Sequence, residues 1–200
     1  MYTYRIEQAI RAASVLHRNQ IRKGSMPIPY ITHLVATAFT LMDYTKDEDI
    51  IISALLHDAI EDTDYTAEEL EEDFGGKVKE IVEALTEPKT VNGKKLSWLE
   101  KKTIYAKQLK AGPTEAVVIA AADKMHNFRT MIEEYTDNYD AFTTDFSKNY
   151  EEILEGYQLT ANVINKRLSG QILAEFNYIF TEFKQFLQNA KDAEDAKYRF

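Results

Sequence analysis

Apolar residues along the chain recur at the spacing of a helix rather than of a strand. Near the N-terminus they follow one another three or four positions apart, which places them on one helical face. These residues are Ile6, Ala9, Ile10, Ala13 and Leu16. Isoleucine and valine do not alternate strictly with polar residues, as they would in a half-buried strand. The pattern predicts an all-α fold.

Turn and capping signals divide this pattern into successive helices. Glycine and proline predict loops or helix ends at 19–29, Gly75-Gly76, Gly112-Pro113 and Ser169-Gly170. Capping boxes, which mark helix starts, are expected at Thr45 with Glu48, Thr66 with Glu69 and Ser97 with Glu100. We expect helices over about 31–42, 50–56, 146–168 and 171–195, with another beginning near 114. The segment 86–95 contains Asn92-Gly93 and is predicted to form a small hairpin or a loop.

Length and composition are those of an ordinary globular protein. The chain has 200 residues, of which 44% are hydrophobic, enough for one domain with a substantial core. No apolar run is long enough to span a membrane. We therefore expect one cytoplasmic domain over 1–200. The part that bears the sequence motifs is expected over about 4–168.

The absence of cysteine and the net charge of −9 restrict the chemistry and the partners. Without thiolates, a metal ion must be bound by histidine or carboxylate side chains. An acidic chain is not expected to bind nucleic acid or an anionic membrane. Oligomeric state is left open by the sequence.

Positive charge is concentrated in two stretches of this acidic chain. No acidic residue lies between Glu7 and Asp43, a stretch that includes Arg22 and Lys23. The segment 89–110 contains seven lysines and one acid. Two interpretations are equally open: the stretches bind a small anion, or 89–110 is simply a solvated loop and helix.

A cluster of titratable residues follows the most apolar helix. His57, Asp58, Glu61 and Asp62 come directly after the run 50–56. On a continuous helix, residues four positions apart lie one turn apart, so these side chains would form two adjacent rows. Carboxylates at the end of a buried helix are costly without a cation. This favours a metal site over the alternative, an acidic helix end in solvent.

A second polar group follows another apolar run. If the helix continues beyond Val117–Ala122, then Asp123, Asn127 and Thr130 form one polar stripe on it. Asp123 is either a ligand or a cap for a neighbouring helix. His33 is expected in the first turn of a helix, with no charged neighbour in sequence.

Four motifs resemble a known family. They read HRNQIRKGSMPIPYITHL, ALLHDAIEDT, FGGKVKEIVEALTEPK and AADKMHNFRT. Together they resemble the hydrolase domain of RelA/SpoT enzymes, in the HD superfamily of metal-dependent phosphohydrolases, and most of all the stand-alone small alarmone hydrolases. The resemblance implies an HD-domain helical bundle with a C-terminal helical extension.

The resemblance also implies an activity and a set of site residues. The activity is hydrolysis of the 3′-pyrophosphate of ppGpp or pppGpp to GDP or GTP and pyrophosphate, with a divalent metal ion, most commonly Mn²⁺. The implied metal ligands are His33, His57, Asp58 and Asp123, and the implied water-activating pair is Glu61 and Asp62. The implied substrate-binding residues are Arg22, Lys23, Lys124, Asn127 and Thr130. His17 and His126 match supporting positions, although ordinary packed histidines are the simpler interpretation.

Three positions depart from the family pattern and leave the substrate open. Leu34, Lys124 and Ala120 stand where proline, arginine and lysine are usual. Because these positions lie near phosphate-binding residues, ppApp, the 2′-phosphate of NADPH and nucleoside monophosphates are alternative substrates. A nucleotide-binding regulator without catalysis is a further alternative, which the intact Glu61-Asp62 pair argues against.

Overall fold

The structure is a computed structural model that describes residues 2–91, 93–146 and 150–197. Over these residues it contains eleven helices and one two-stranded hairpin. In chain order the elements are α1 (Tyr4–Leu16), α2 (Ile31–Leu41), α3 (Glu48–Leu55), α4 (Ala59–Asp62), α5 (Ala67–Phe74), α6 (Gly76–Leu85), β1 (Thr90–Val91), β2 (Lys94–Lys95), α7 (Trp98–Ala111), α8 (Thr114–Tyr135), α9 (Tyr139–Phe146), α10 (Tyr150–Arg167) and α11 (Gly170–Lys197). The predicted all-α fold is confirmed.

Helix α8 lies at the centre of the bundle. It packs against α2, α3 and α6 on the N-terminal side and against α10 and α11 on the C-terminal side. Its first half is buried over Ala116–Val117 and Ile119–Met125, with Val118 half-buried, so both flanking groups of helices bury apolar surface against it. The second half carries Phe128, whose ring stacks on Phe183 of α11 with centroids 4.4 Å apart.

Several predicted helix boundaries are confirmed. Thr66 and Ser97 each form a complete capping box with the glutamate three residues later. Gly75, with φ of +92°, separates α5 from α6, a conformation that glycine adopts without steric cost. The hairpin is also confirmed, with Thr90 opposite Lys95 and Val91 opposite Lys94. Asn92 of its expected turn lies outside the described residues.

Other boundaries differ from the sequence-based expectation. The capping box at Thr45 is wrong: Asp47 caps α3 by accepting a hydrogen bond from Asp49 N, and Thr45 accepts one from Asp47 N instead. Asp47 stands directly before the first helical residue, where a carboxylate reaches the free N–H groups. Helix α9 was not predicted, and α10 is first described at Tyr150 rather than Phe146, since residues 147–149 lie outside the described part of the chain.

Among the described residues, no helix combines the length and apolar character needed to cross a membrane.

Candidate active site

Three separate segments bring the four predicted metal ligands together. His33 lies in the first turn of α2, His57 and Asp58 lie between α3 and α4, and Asp123 lies midway along α8. The two Nε2 atoms face the two carboxylates: His33 Nε2 is 3.2 Å from Asp123 Oδ1, and His57 Nε2 is 3.2 Å from Asp58 Oδ2. The crossed distances, His33 to Asp58 and His57 to Asp123, are both 3.8 Å.

The chain turns sharply at His57 instead of continuing as the expected helix. Helix α3 ends at Leu55, and Leu56, with φ of −115° and ψ of 8°, leaves the helical conformation. Asp58 then precedes the single-turn helix α4. The expectation of a continuous helix through Asp62 is therefore wrong. The break separates the ligands His57 and Asp58, which lie in the turn, from the acidic residues of α4.

His57 is oriented by its own backbone. The ring is buried, and Nδ1 lies 2.7 Å from Ala54 O, a contact in which only the imidazole can donate. Among the described residues, Nε2 then has no hydrogen-bond partner although it is fully buried. Burial lowers the pKa of His57, but the carboxylates of Asp58 and Asp123 outweigh it and raise the pKa to about 9. The surroundings of Nε2 thus favour a positive charge.

The two carboxylates are held by neighbouring side chains. Tyr30 donates its hydroxyl hydrogen to Asp58 Oδ2 at 2.7 Å. Asn127 Nδ2 donates to Asp123 Oδ1 at 2.5 Å, and Lys124 Nζ donates to Asp123 Oδ2 at 2.6 Å. Lys124 is buried with Asp123, and this ion pair strongly lowers the pKa of Asp123 against the effect of burial. Both carboxylates are therefore fixed and negatively charged.

These groups fit a divalent cation. One donor atom each from His33, His57 and Asp58 lie within 4.8 Å of one another, and Asp123 Oδ1 approaches both imidazoles. Two imidazole nitrogens and two carboxylate oxygens form a common donor set for first-row divalent ions. The orphaned Nε2 atom of His57 is the observation that most favours a metal ion at this site.

Glu61 and Asp62 lie on α4 next to this cluster. Glu61 Oε2 accepts a hydrogen bond from Glu87 N at 2.9 Å. Burial raises the pKa of Glu61 to about 7, and the negative charges of Glu87, Asp58 and Asp62 act in the same direction. Burial also raises the pKa of the more exposed Asp62. Near neutral pH, Glu61 can therefore both accept and release a proton.

The predicted substrate-binding residues border one cavity of about 370 Å³ that is shared with the ligands. Arg22 donates to Asn127 Oδ1 at 2.8 Å and lies over the Tyr30 ring. Lys23 donates to the backbone oxygen of Asp145 at 2.5 Å. The full set at the cavity wall is Arg22, Lys23, Lys124, Asn127 and Thr130. Lys124 differs from the expectation in that its ammonium group is already engaged by Asp123.

The two histidines expected to be supporting residues both lie beside the ligands. His126 Nδ1 is 2.9 Å from His33 Nδ1. His17 stacks on Tyr30 with ring centroids 5.3 Å apart, and its Nδ1 contacts Gln20 Oε1 at 2.7 Å. Contact with a proposed ligand is direct for His126 and indirect, through Tyr30, for His17.

Sequence reasoning did not identify several residues at the cavity wall, namely Tyr30, Glu87, Lys102 and Tyr105. Lys102 belongs to the lysine-rich segment 89–110, for which the sequence left two interpretations open, a stretch that binds a small anion or a solvated loop and helix. The lysines of this segment differ in where they lie. Lys102 lines the cavity and Lys89 lies 3.8 Å from Asp62, whereas the remaining lysines do not line it. On α7 itself, Lys102 is buried whereas Lys107 and Lys110 are exposed, a difference that the count of charges in the sequence does not show.

Comparison with known proteins supports the same fold. The family model of the HD domain matches residues 9–158. Guanosine-3′,5′-bis(diphosphate) 3′-pyrophosphohydrolase MESH1 of Homo sapiens is 36% identical over 126 residues, which are 62% of this chain and 68% of the relative. The bifunctional (p)ppGpp synthase/hydrolase SpoT of Escherichia coli strain K12 is 35% identical over 133 residues. That match covers 64% of this chain but 18% of the bacterial protein, so the chain corresponds to a small part of such large relatives.

Solved structures agree with these matches. A metazoan ortholog of SpoT, described as hydrolysing ppGpp, superposes with a TM-score of 0.75 at 22% identity, covering 91% of this chain and 97% of the other. A crystal structure of lmo0812 from Listeria monocytogenes EGD-e gives a TM-score of 0.65 at 26% identity, covering 84% and 99%. The HD domain model matches residues 9–158, and the observed fold is helical. The chain therefore belongs to the HD domain family.

Proposed function

We propose that the protein is a metal-dependent hydrolase that removes the 3′-pyrophosphate of ppGpp or pppGpp and releases GDP or GTP. The observation that carries this proposal is the convergence of His33, His57, Asp58 and Asp123 at the wall of one cavity that also contains Glu61 and basic side chains. The name of the human relative, a guanosine-3′,5′-bis(diphosphate) 3′-pyrophosphohydrolase, supports the choice of substrate. The single domain over 1–200 and the cytoplasmic location stay predictions.

The resident cofactor in this proposal is a divalent metal ion, with Mn²⁺ as the specific candidate. His33 Nε2, His57 Nε2, Asp58 and Asp123 would hold it. The mixed nitrogen and oxygen donors are compatible with several first-row divalent ions, and the absence of thiolate ligands disfavours softer ions. The resemblance to the RelA/SpoT hydrolase domain favours Mn²⁺ among them. When bound, such an ion polarises a phosphoryl oxygen and makes water more acidic.

Glu61 and Asp62 would handle the proton of the attacking water. Water adds to the phosphorus attached to the ribose 3′-oxygen, and the bond between that phosphorus and the 3′-oxygen breaks. The 3′-oxygen takes a proton from solvent to become the 3′-hydroxyl of the nucleotide, and pyrophosphate, which carries the water oxygen, is released. The water proton passes to Glu61, whose pKa near 7 suits a group that must accept it and then release it. Asp62 lies nearer to solvent and would pass the proton outward.

The basic side chains would bind the substrate phosphates. Arg22 is oriented by Asn127, and the two residues link the loop before α2 to the polar stripe of α8. A guanidinium group in fixed orientation can bind two phosphate oxygens at once. Lys23 lies at the same side of the cavity, over the Phe146 ring at 4.7 Å. These positive charges offset the acidic residues around the proposed metal site and favour a small phosphorylated substrate.

Substrate profiling tests the proposal. Metal-free protein is loaded with Mn²⁺ and assayed for kcat/KM on ppGpp, pppGpp, ppApp, NADPH and a nucleoside monophosphate. We expect the highest values for ppGpp or pppGpp, and losses of about 100-fold or more in Asp58→Asn and Glu61→Gln. Glu133→Gln, which changes an exposed carboxylate on α8, is the matched control.

Two results would contradict the proposal in different ways. A higher kcat/KM for NADPH or ppApp would replace the substrate while keeping the hydrolase. Binding of ppGpp without turnover at any divalent metal would instead indicate a regulatory nucleotide-binding protein.

A further inference from the structure

A second buried ion pair lies at the cavity wall beside the proposed metal site. Lys102, in the second turn of α7, donates to the carboxylate of Glu87, in the loop after α6. Each of the two residues is only 9% exposed. Neither belongs to the ligand set or to the proposed Glu61-Asp62 pair.

The backbone of Glu87 connects this ion pair to Glu61. Glu87 N donates to Glu61 Oε2 at 2.9 Å. The same loop is attached to α7 at a second point, where Gln108 Nε2 donates to Thr86 O at 3.1 Å. The position of the N–H group that contacts Glu61 therefore depends on how firmly the loop is held against α7.

Lys102 is held at this place in spite of an unfavourable environment. Burial and the nearby charge of Lys124 lower the pKa of Lys102, and the charge of Glu87 opposes them. Its Nζ atom lies over the rings of Trp98 and Tyr157, 5.4 and 5.9 Å from their centroids. Buried ion pairs seldom stabilise a protein more than apolar packing of the same volume would. The pair lies one hydrogen bond away from Glu61, through the N–H group of Glu87.

We propose that Lys102 is a positioning residue for Glu61. By fixing the Glu87 carboxylate, Lys102 holds the Glu87 N–H group against Glu61 Oε2 and so sets the orientation of the Glu61 carboxylate toward the cavity. The inference rests on the proposed function for the catalytic use of Glu61, whereas the chain of contacts from Lys102 to Glu61 is independent of the substrate.

The first experiment measures Glu61 directly and needs no substrate. Protein labelled with ¹³C-glutamate is titrated without metal, and the Glu61 carboxyl signal is assigned by its loss in Glu61→Gln. In Lys102→Met we expect the pKa of Glu61 to rise by about 1, because the hydrogen bond that favours the carboxylate is weakened and the nearby positive charge of Lys102 is lost. Lys107→Met makes the same substitution at an exposed position of α7 and is expected to leave the titration unchanged.

An unchanged Glu61 titration in folded Lys102→Met would overturn the proposal. If Lys102→Met does not fold, as judged by its circular dichroism spectrum, Lys102→Leu takes its place, since leucine also lacks both the donor and the charge. An unchanged titration in folded Lys102→Leu would overturn the proposal equally. The negative charges of Asp58, Asp62 and Glu87 near Glu61 are present in every variant compared, so the Lys102 variants differ from wild type only in the Lys102 charge and its hydrogen bond.

The second experiment separates positioning from substrate binding. With ppGpp and Mn²⁺, Lys102→Met is expected to lower kcat about tenfold or more, with KM within about twofold of the wild-type value. In a Glu61→Gln background, the same substitution is expected to cause no further loss, because its effect passes through Glu61. A raised KM with unchanged kcat would show a direct substrate contact and overturn the proposal, as would an additive loss in the Glu61→Gln background.

The two experiments distinguish failure of this inference from failure of the proposed function. If wild type and Lys107→Met both leave ppGpp intact, the proposed substrate is wrong. The titration of Glu61 in the metal-free protein still decides whether Lys102 positions it.

Discussion

His33 Nδ1 and His126 Nδ1 lie 2.9 Å apart, so one ring donates an N–H hydrogen and the other accepts it. Burial lowers the pKa of both imidazoles, in the case of His126 to about 4, with the charges of His33 and Arg22 acting in the same direction. Both rings are therefore neutral at pH 7. Because the Nδ1 atom of His33 is engaged in this way, its Nε2 atom is directed to Asp123.

Removing the contact between His126 and the proposed ligand His33 should weaken metal binding. We expect His126→Ala to reduce the affinity for Mn²⁺ by about 10- to 100-fold, since partners of a metal-ligating histidine fix its orientation and its basicity. Isothermal titration of metal-free protein with Mn²⁺ at neutral pH measures the change. His17→Ala, which touches no proposed ligand directly, should give a smaller reduction. An unaltered affinity in His126→Ala would contradict the expected role.

Metal removal should lower the stability of the wild-type protein. A ligand that binds only the folded state at 100 times its Kd adds about 2.7 kcal/mol to the free energy of unfolding. We expect Mn²⁺ to raise the Tm of chelator-treated wild type, with an increase that grows with the logarithm of its concentration above the Kd. His57→Ala should lose this increase, since it removes a buried nitrogen donor. An equal increase of Tm in both proteins would place the metal elsewhere.

Stability should also depend on pH through Glu61. The folded-state pKa of about 7 lies above the ordinary value of 4.5, so the folded protein binds this proton more tightly than the unfolded chain does. The contribution of Glu61 to the free energy of unfolding is therefore full below pH 4.5 and declines as the pH rises to about 7. Urea denaturation of wild type and Glu61→Gln without metal should show a difference that falls across this window. A constant difference would mean that Glu61 is not perturbed.

Gly156 is expected to be essential for the contact between α7 and α10. A Cβ atom at this position would lie 2.3 Å from the Trp98 ring and 3.2 Å from Lys102 Cγ. We expect Gly156→Ala to destabilise the protein by about 1–3 kcal/mol through overpacking. Gly76→Ala is the matched control, because the added methyl group would meet only a Glu71 side-chain oxygen at 3.5 Å. Chemical denaturation compares the two variants, and equal stabilities would contradict the prediction.

Helix positions could be predicted from the sequence wherever local signals were unambiguous. The capping boxes at Thr66 and Ser97 and the positive φ of Gly75 all involve residues within one turn of each other. The break after Leu55 could not be predicted, because the apolar run continues to Leu56 and is followed by residues that a helix tolerates. At the break, His57 Nδ1 donates to Ala54 O, the acceptor that the Asp58 N–H group would use in a continued helix.

The site could be predicted as far as its residue types were distinctive. The cluster of His57, Asp58, Glu61 and Asp62 after the apolar run 50–56 indicates a metal ion without knowledge of the fold, whereas His33 and Asp123 were assigned as ligands only through the family resemblance. Glu87 and Lys102 were not identified, because a glutamate before a proline and a lysine in a basic segment look like ordinary surface residues. Lys102 is covered where α10 approaches α7, near Gly156, which is more than 50 positions away in the sequence, and Glu87 is buried against Lys102.

The stacking of Phe128 on Phe183 links the C-terminal helix to the chemistry at a distance. Asp123 and Asn127 belong to the same rigid helix as Phe128, and α11 supports that helix from behind. A displacement of α11 would move a proposed ligand and the partner of Arg22 together, as one body. A change in the packing of α11 against α8 would therefore affect the proposed metal site and the substrate-binding side of the cavity at the same time.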